Sequence, residues 1–318
     1  MGKIYDIITM GSNVIDNFIY TDIKEKNEMI CFPIGTKIEI KDVVFSTGGG
    51  GMNSAMCFSN LGLKTGYLGK LGSGYNSDVV LSRLRKNKID FLGTKGKGHT
   101  GYSVILDSLK RNRTVLTYKG ESDNLKLSEI NLSKLKTRWF YFSSMSNDSF
   151  ESQKKIAEIA GNRGIKIAYN PSSYQARKGV DYIKTILKRT FVLCLNNEEA
   201  RMLVKENLHK NLLKLGPQIV CITDGDKEGS VYDGEYLYRY WPNKVKLREA
   251  TGAGDAFGSS FVAGLIKFND IEVALKMAIA NSESVIQQIG AQNGLLNWRE
   301  IDKIIKSKKF KIKKEALE

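Results

Sequence analysis

Residues Glu249-Ala250-Thr251-Gly252-Ala253-Gly254-Asp255-Ala256-Phe257 set two glycines and a carboxylate directly before an apolar stripe. Phe257, Phe261 and Leu265 recur at i, i+4 and i+8, with Val262 and Ile266 beside them, which is the spacing of one helix face. A helix therefore opens at the glycines, with Asp255 in its first turn. The first amides of a helix have no internal partner and carry the positive end of its dipole, so backbone bared by Gly252 and Gly254 can wrap a phosphate. A phosphate cradle beside a carboxylate suits phosphoryl transfer. The same residues also suit a plain glycine turn in which Asp255 only caps the helix.

A second glycine loop occupies the other end of the chain. Thr47-Gly48-Gly49-Gly50-Gly51-Met52-Asn53-Ser54-Ala55 runs into Met52, Ala55 and Met56 at helical spacing, so it reads as a loop that lets a ligand approach backbone closely, or as a flexible linker. Asp16 follows Asn13 near the end of the first strand, where open α/β sheets place ligand groups and where surface turns also lie. Asn196-Asn197-Glu198-Glu199 follows another strand, and Glu199 taken alone is an acid in a helix first turn.

The elements that must position these groups alternate. Ile4 to Met10 is a short apolar run ended by Gly11-Ser12, as a buried strand would be. From about residue 18 to 46 the pattern has period two, clearest in Thr36-Lys37-Ile38-Glu39-Ile40-Lys41-Asp42-Val43, which predicts exposed strands. Strand-like pieces return at 102–106 and 114–118, and 79–86 reads as helix. Beyond about residue 125, strands at 139–142, 165–169, 191–195 and 219–223 alternate with helices at 150–160, 182–187, 198–205, 254–267 and 270–289. That alternation predicts a parallel sheet covered on both faces.

With 318 residues, four prolines and no repeat or low-complexity linker, the chain reads as one main unit. Its net charge of +15 comes from scattered lysines and a dense tail, Lys303, Lys306, Lys308, Lys309, Lys311, Lys313 and Lys314. No aromatic-interleaved basic motif accompanies them, so a solvated surface is expected before a nucleic-acid face. Cys31, Cys57, Cys194 and Cys221 are widely spaced, as reduced thiols of a cytoplasmic protein would be. Nothing marks export, and no apolar run of about 18 residues marks membrane insertion.

Taken together, the two glycine loops resemble the ribokinase (PfkB) carbohydrate kinase family across nearly the whole chain. Gly48-Gly49-Gly50-Gly51-Met52-Asn53 is similar to its Gly-Gly-x-Gly-x-Asn pattern, and Glu249 to Asp255 to its Asp-Thr-x-Gly-Ala-Gly-Asp pattern. Asn196 to Glu199 is similar to its Asn-x-x-Glu, and Gly290-Ala291-Gln292 to the stretch beside its nucleotide. The resemblance implies an α/β three-layer sandwich, with a central mostly parallel sheet and a small β lid from about 16–47 and 90–120. It implies ATP and Mg²⁺, often with an activating K⁺, and a small sugar or sugar derivative as acceptor.

On that resemblance Asp255 is the catalytic base, and the amides of Gly252, Ala253 and Gly254 stabilise the transferring phosphoryl. Asp16, Gly48, Gly49 and Asn53 lie on the acceptor side. Asn196, Thr223, Gly225 and Asn281 lie on the nucleotide side, with Glu199 on Mg²⁺ through water and Glu249 and Thr251 as candidate holders of the monovalent cation. Three departures stand out: Glu249 and Ala250 replace the usual Asp and Thr, which puts potassium dependence in question, and Gly50 stands where ribokinase carries lysine. A nucleoside kinase on the same fold, with Tyr102 or another lid aromatic stacked on a base, is the second enzymatic reading. A basic nucleic-acid-binding protein without catalysis is the reading from a different class. Exposed lid strands predict a homodimer.

Overall fold

The structure is a computed structural model that describes residues 3–109 and 113–317. Its largest element is a ten-stranded sheet. In spatial order the strands are Lys311–Ala316, Tyr236–Trp241, Gly229–Tyr232, Ile219–Thr223, Val192–Asn196, Lys166–Asn170, Thr137–Ser143, Tyr5–Met10, Thr65–Leu68 and Asp90–Phe91. Every pairing from Ile219–Thr223 through Asp90–Phe91 is parallel, and those on the other side of Ile219–Thr223 are antiparallel.

The strand sequences explain the layering. Successive side chains point to opposite faces, and both faces here are covered, so the strands are apolar throughout. Ile8, Phe140, Phe142, Ile167, Tyr169 and Leu193 pack on one side with the helices Asn147–Asn162 and Val180–Leu187. Their neighbours Ile7, Trp139, Tyr141, Ala168, Val192 and Cys194 pack on the other with Ala253–Phe268 and Ile271–Val285. The result is the three-layer α/β sandwich.

A smaller four-stranded sheet has the order Arg113–Tyr118, Gly101–Asp107, Val14–Tyr20, Asp42–Gly48. Its middle pairing is parallel and the outer two are antiparallel. The period-two stretch at 36–41 is not strand: it finds no ladder, lies largely exposed, and makes one backbone bond, Lys41 to the Tyr20 carbonyl at 2.9 Å, before Asp42–Gly48 begins.

The tail also differs from a purely solvated surface. Residues 298–307 form the helix Trp298–Ser307, and Lys311–Ala316 forms the edge strand of the large sheet. There the ammonium groups of Lys311 and Lys314 lie 4.2 and 3.8 Å from the ring centroids of Trp241 and Tyr236. No helix among the described residues is long and apolar enough to cross a membrane.

Candidate active site

Gly252 is the N-cap of the helix Ala253–Phe268, and its φ of 83° is left-handed, a conformation that favours glycine. A side chain there would also collide with Ala291. In the first turn, Ala253 donates to the Ala250 carbonyl at 3.3 Å and Ala256 to that of Gly252 at 2.8 Å. The amides of Gly254 and Asp255 find no backbone acceptor among the described residues. A Cβ on Gly254 would meet nothing within 4 Å, so the cradle opens outward at that residue.

The Asp255 carboxylate is oriented by a chain of side chains. Asn53 Nδ2 donates to Asp255 Oδ2 at 2.8 Å, Gln292 Nε2 donates to Asn53 Oδ1 at 3.0 Å, and Thr47 Oγ1 donates to Gln292 Oε1 at 2.8 Å. Thr47, Asn53 and Gln292 are all buried. Because the Gln292 oxygen takes the threonine proton, its nitrogen faces Asn53 and turns the Asn53 nitrogen toward the carboxylate. Burial raises the Asp255 pKa above the usual carboxylate value, and the Asn53 bond opposes that rise.

The other oxygen, Oδ1, and the Ser143 hydroxyl both border the space over Gly50. A Cβ built on Gly50 would lie 2.8 Å from Ser143 Oγ and 3.4 Å from Asp255 Oδ1, so a side chain there would crowd both groups. The buried Ser143 hydroxyl has no hydrogen-bond partner. Sequence reasoning missed Ser143, since one serine at a strand end carries no pattern, and it had no physical reason to single out Gln292.

On the acceptor side, Asp16 lies in Val14–Tyr20 and is buried. Burial pushes its pKa up to about 6, against the opposing effects of a Ser103 hydrogen bond and the Lys119 charge. A side chain on Gly48 would strike the Asp16 carboxylate, so only glycine lets the two strands close up there. Gly49 caps the helix Gly50–Asn60, but its first amides are already taken: Gly51 and Met52 donate to the Ser12 carbonyl at 3.1 and 3.3 Å. This glycine loop docks on the segment that follows the first strand.

Asn196 and Glu199 form a reciprocal cap on the helix Asn197–Leu203. Asn196 Oδ1 accepts from the Glu199 amide at 2.8 Å, and Glu199 Oε2 from the Asn196 amide at 3.1 Å. Ser173 donates to Glu199 Oε1 at 2.9 Å, and burial raises the Glu199 pKa. Thr223 ends the neighbouring strand, and Gly225 follows at φ 61° beside open space.

Asn281 is a correction. It is fully buried, donates to Ser260 Oγ at 2.7 Å and Cys57 Sγ at 3.3 Å, and accepts from the Leu296 amide at 2.9 Å. Both ends of its amide are engaged inside the body, so it ties helices together and does not face a nucleotide.

No group of three or more His, Cys, Asp or Glu among the described residues could hold a metal ion. A lone Glu199 with both oxygens already bonded fits the outer, water-mediated role toward Mg²⁺, an ion that keeps much of its own shell. Glu249 and Thr251 are already engaged with each other and with a cationic side chain. Glu249 Oε1 accepts from Thr251 Oγ1 at 2.8 Å and from the Thr251 amide at 3.0 Å, and it forms an ion pair with Arg113 of the smaller sheet. A cleft of about 800 Å³ opens here, between Phe18, Ile105 and Arg113 on one side and Arg248, Glu249 and Ala250 on the other.

A doubly covered sheet, a helix-start anion cradle and an adjacent carboxylate define a phosphotransferase-like site. The model of the pfkB family of carbohydrate kinases matches residues 12–298, and the chain belongs to that family. It is 28% identical over 250 residues to an uncharacterized sugar kinase of Archaeoglobus fulgidus, covering 76% of this chain and 98% of that protein. It is 23% identical to the ATP-dependent 6-phosphofructokinase of Thermoanaerobacterium thermosaccharolyticum, over 91% of this chain and 90% of that one. The solved ribokinase of Arabidopsis thaliana, complexed with ribose and ATP, superposes with a TM-score of 0.83 at 18% identity, covering 97% of this chain and all of that one, a likeness of fold.

Proposed function

We propose that the protein transfers the terminal phosphoryl of ATP to a hydroxyl of a small sugar or sugar derivative, with Asp255 as the base. The observation that carries this reading is the Asp255 carboxylate, anchored on Oδ2 by Asn53, in the first turn of a helix whose Gly254 and Asp255 amides find no backbone acceptor among the described residues.

Phosphoryl transfer needs positioning and charge stabilisation more than covalent chemistry. Asp16 and Ser143 would hold acceptor hydroxyls, and Asp255 Oδ1 would take the proton of the attacking one as it leaves. Its raised pKa makes it a better base than an ordinary carboxylate. The Gly254 and Asp255 amides would meet the negative charge on the transferring group. Thr223 and Gly225 would lie along the nucleotide, and Glu199 would steady the waters of Mg²⁺. That ion, when bound, neutralises phosphate charge.

Tyr102 bears on the nucleoside reading. Its hydroxyl accepts from Asn17 Nδ2 at 3.1 Å and its half-buried ring packs against the core cluster that includes Ile15 and Met52, which ties it into the body and favours a small polar acceptor. The smaller sheet is the lid in this reading. Its edge strand Arg113–Tyr118 exposes Val115, Leu116 and Tyr118, a surface on which a second copy would pair. Sedimentation of wild type against Leu116→Lys tests that pairing, which a wild-type monomer would rule out.

The acceptor is found by measuring ADP release across sugars, sugar acids, sugar phosphates and nucleosides. A polyhydroxy acceptor turned over with ATP and Mg²⁺ is expected, and turnover of nucleosides alone would replace this reading with its nucleoside alternative.

A further inference from the structure

The loop that leads into the anion cradle carries a largely covered acid where phosphoryl transfer would least tolerate uncompensated negative charge. Glu249 lies three residues before Gly252, and its side chain is only 12% exposed. A buried carboxylate requires a partner, and this one is supplied from another sheet. The Arg113 guanidinium pairs with the Glu249 carboxylate and donates through Nη1 to Thr251 Oγ1 at 2.6 Å. Thr251 Oγ1 and its amide in turn bond Glu249 Oε1. One guanidinium nitrogen, Nη1, thus meets the carboxylate and the hydroxyl at once, as a single small cation seated between them would. Arg113 stands at the start of the edge strand of the smaller sheet, opposite Asp107 in the ladder. The contact therefore bridges the smaller sheet and the phosphate loop across the cleft.

We propose that Arg113 is the built-in cation of this loop: its guanidinium fills the seat on Glu249 and Thr251 that a monovalent cation would need. The enzyme then neither binds nor requires K⁺. Because Arg113 belongs to the smaller sheet, the positive charge on the loop comes from the other side of the cleft. This inference rests on the kinase reading for its consequence in turnover, but not for the binding statement itself.

The test begins without an acceptor. Full-length protein is melted in the chlorides of K⁺, Na⁺ and tetramethylammonium at matched ionic strength, beside Arg113→Met and Arg113→Lys. Wild type should melt alike in all three salts, whereas Arg113→Met should melt lower and gain a saturable, K⁺-specific stabilisation of the kind a bound ligand gives. With an acceptor in hand, Arg113→Met should lose about 10²-fold in kcat in tetramethylammonium and recover part of it in K⁺. Saturable K⁺-specific stabilisation of wild type would overturn the proposal, and so would an Arg113→Met protein that folds and ignores K⁺. If Arg113→Met does not fold, the wild-type salt series and Arg113→Lys, expected to fold with reduced kcat and no K⁺ response, still decide it. Absence of any kinase activity with a flat wild-type salt series would count against the enzymatic reading and leave the cation assignment standing.

Discussion

The side-chain amide of Asn53 donates a 2.8 Å hydrogen bond to the carboxylate of Asp255, 202 residues further along the chain. The bond joins the two glycine-loop helices, and Gln292 and Thr47 behind it determine which end of the amide points at the acid. Gln292→Glu replaces a donor with an acceptor beside Asn53 Oδ1. The Asn53 amide should then turn, setting its oxygen against Asp255. A loss of about 10- to 100-fold in kcat is expected with ATP affinity nearly unchanged, since a misplaced reacting group costs rate before binding. Steady-state kinetics and nucleotide titration check this, and a proportional loss in both quantities would mark a general unfolding effect instead.

Asp16 predicts a pH effect with a definite sign. Its folded pKa is about 6, raised from 3.8, so between those values the folded protein holds a proton that the unfolded chain releases. Wild type therefore loses stability as pH rises through that window, up to about 3 kcal/mol by neutral pH at 1.36 kcal/mol per unit. Asp16→Asn should melt higher than wild type at neutral pH, with the difference closing as pH falls toward the lower value. Its acceptor KM should rise at neutral pH. Melting curves across that range, with acceptor kinetics, provide the check.

Ser143→Ala separates binding from folding. The wild-type hydroxyl is buried without a partner, a situation that costs about 1–3 kcal/mol. Removing it should leave stability equal or higher, while kcat/KM for the acceptor falls. A variant that is less stable and equally active would place Ser143 in the scaffold alone.

Gly252→Ala tests the cradle. It forces a side chain into a left-handed φ and against Ala291, so about 1–3 kcal/mol of destabilisation is expected from the backbone alone. Gly254→Ala, whose added Cβ meets open space, should be far milder for folding yet still obstruct a phosphate. Paired denaturant titrations and nucleotide affinities compare the two.

What could be read in the sequence was whatever the backbone imposes. The glycine loops, the helix after Gly252 and the parallel strands follow from period and composition, and they arise where Phe257, Phe261, Phe140 and Phe142 said they would. The strands at 229–232, 236–241 and 311–316 were not legible, because the antiparallel extension is short and its last strand is half lysine, held by rings on its neighbour. Side chains whose meaning depends on distant partners were equally silent. Asn281 resembles a nucleotide contact until Ser260, Cys57 and Leu296 are seen around it. Gln292 and Arg113 carry no local signal, since the acids they serve, directly or through Asn53, lie elsewhere in the chain.

The central claim is that Asp255 takes the proton of the attacking hydroxyl while the neighbouring amides bind phosphate without its help. Asp255→Asn keeps the shape and removes the base. Its rate of ADP formation with a turned-over acceptor should fall by about 10²- to 10⁴-fold, the range for a lost general base, with MgATP affinity within a few-fold of wild type. Turnover at the wild-type rate in that variant would contradict the account.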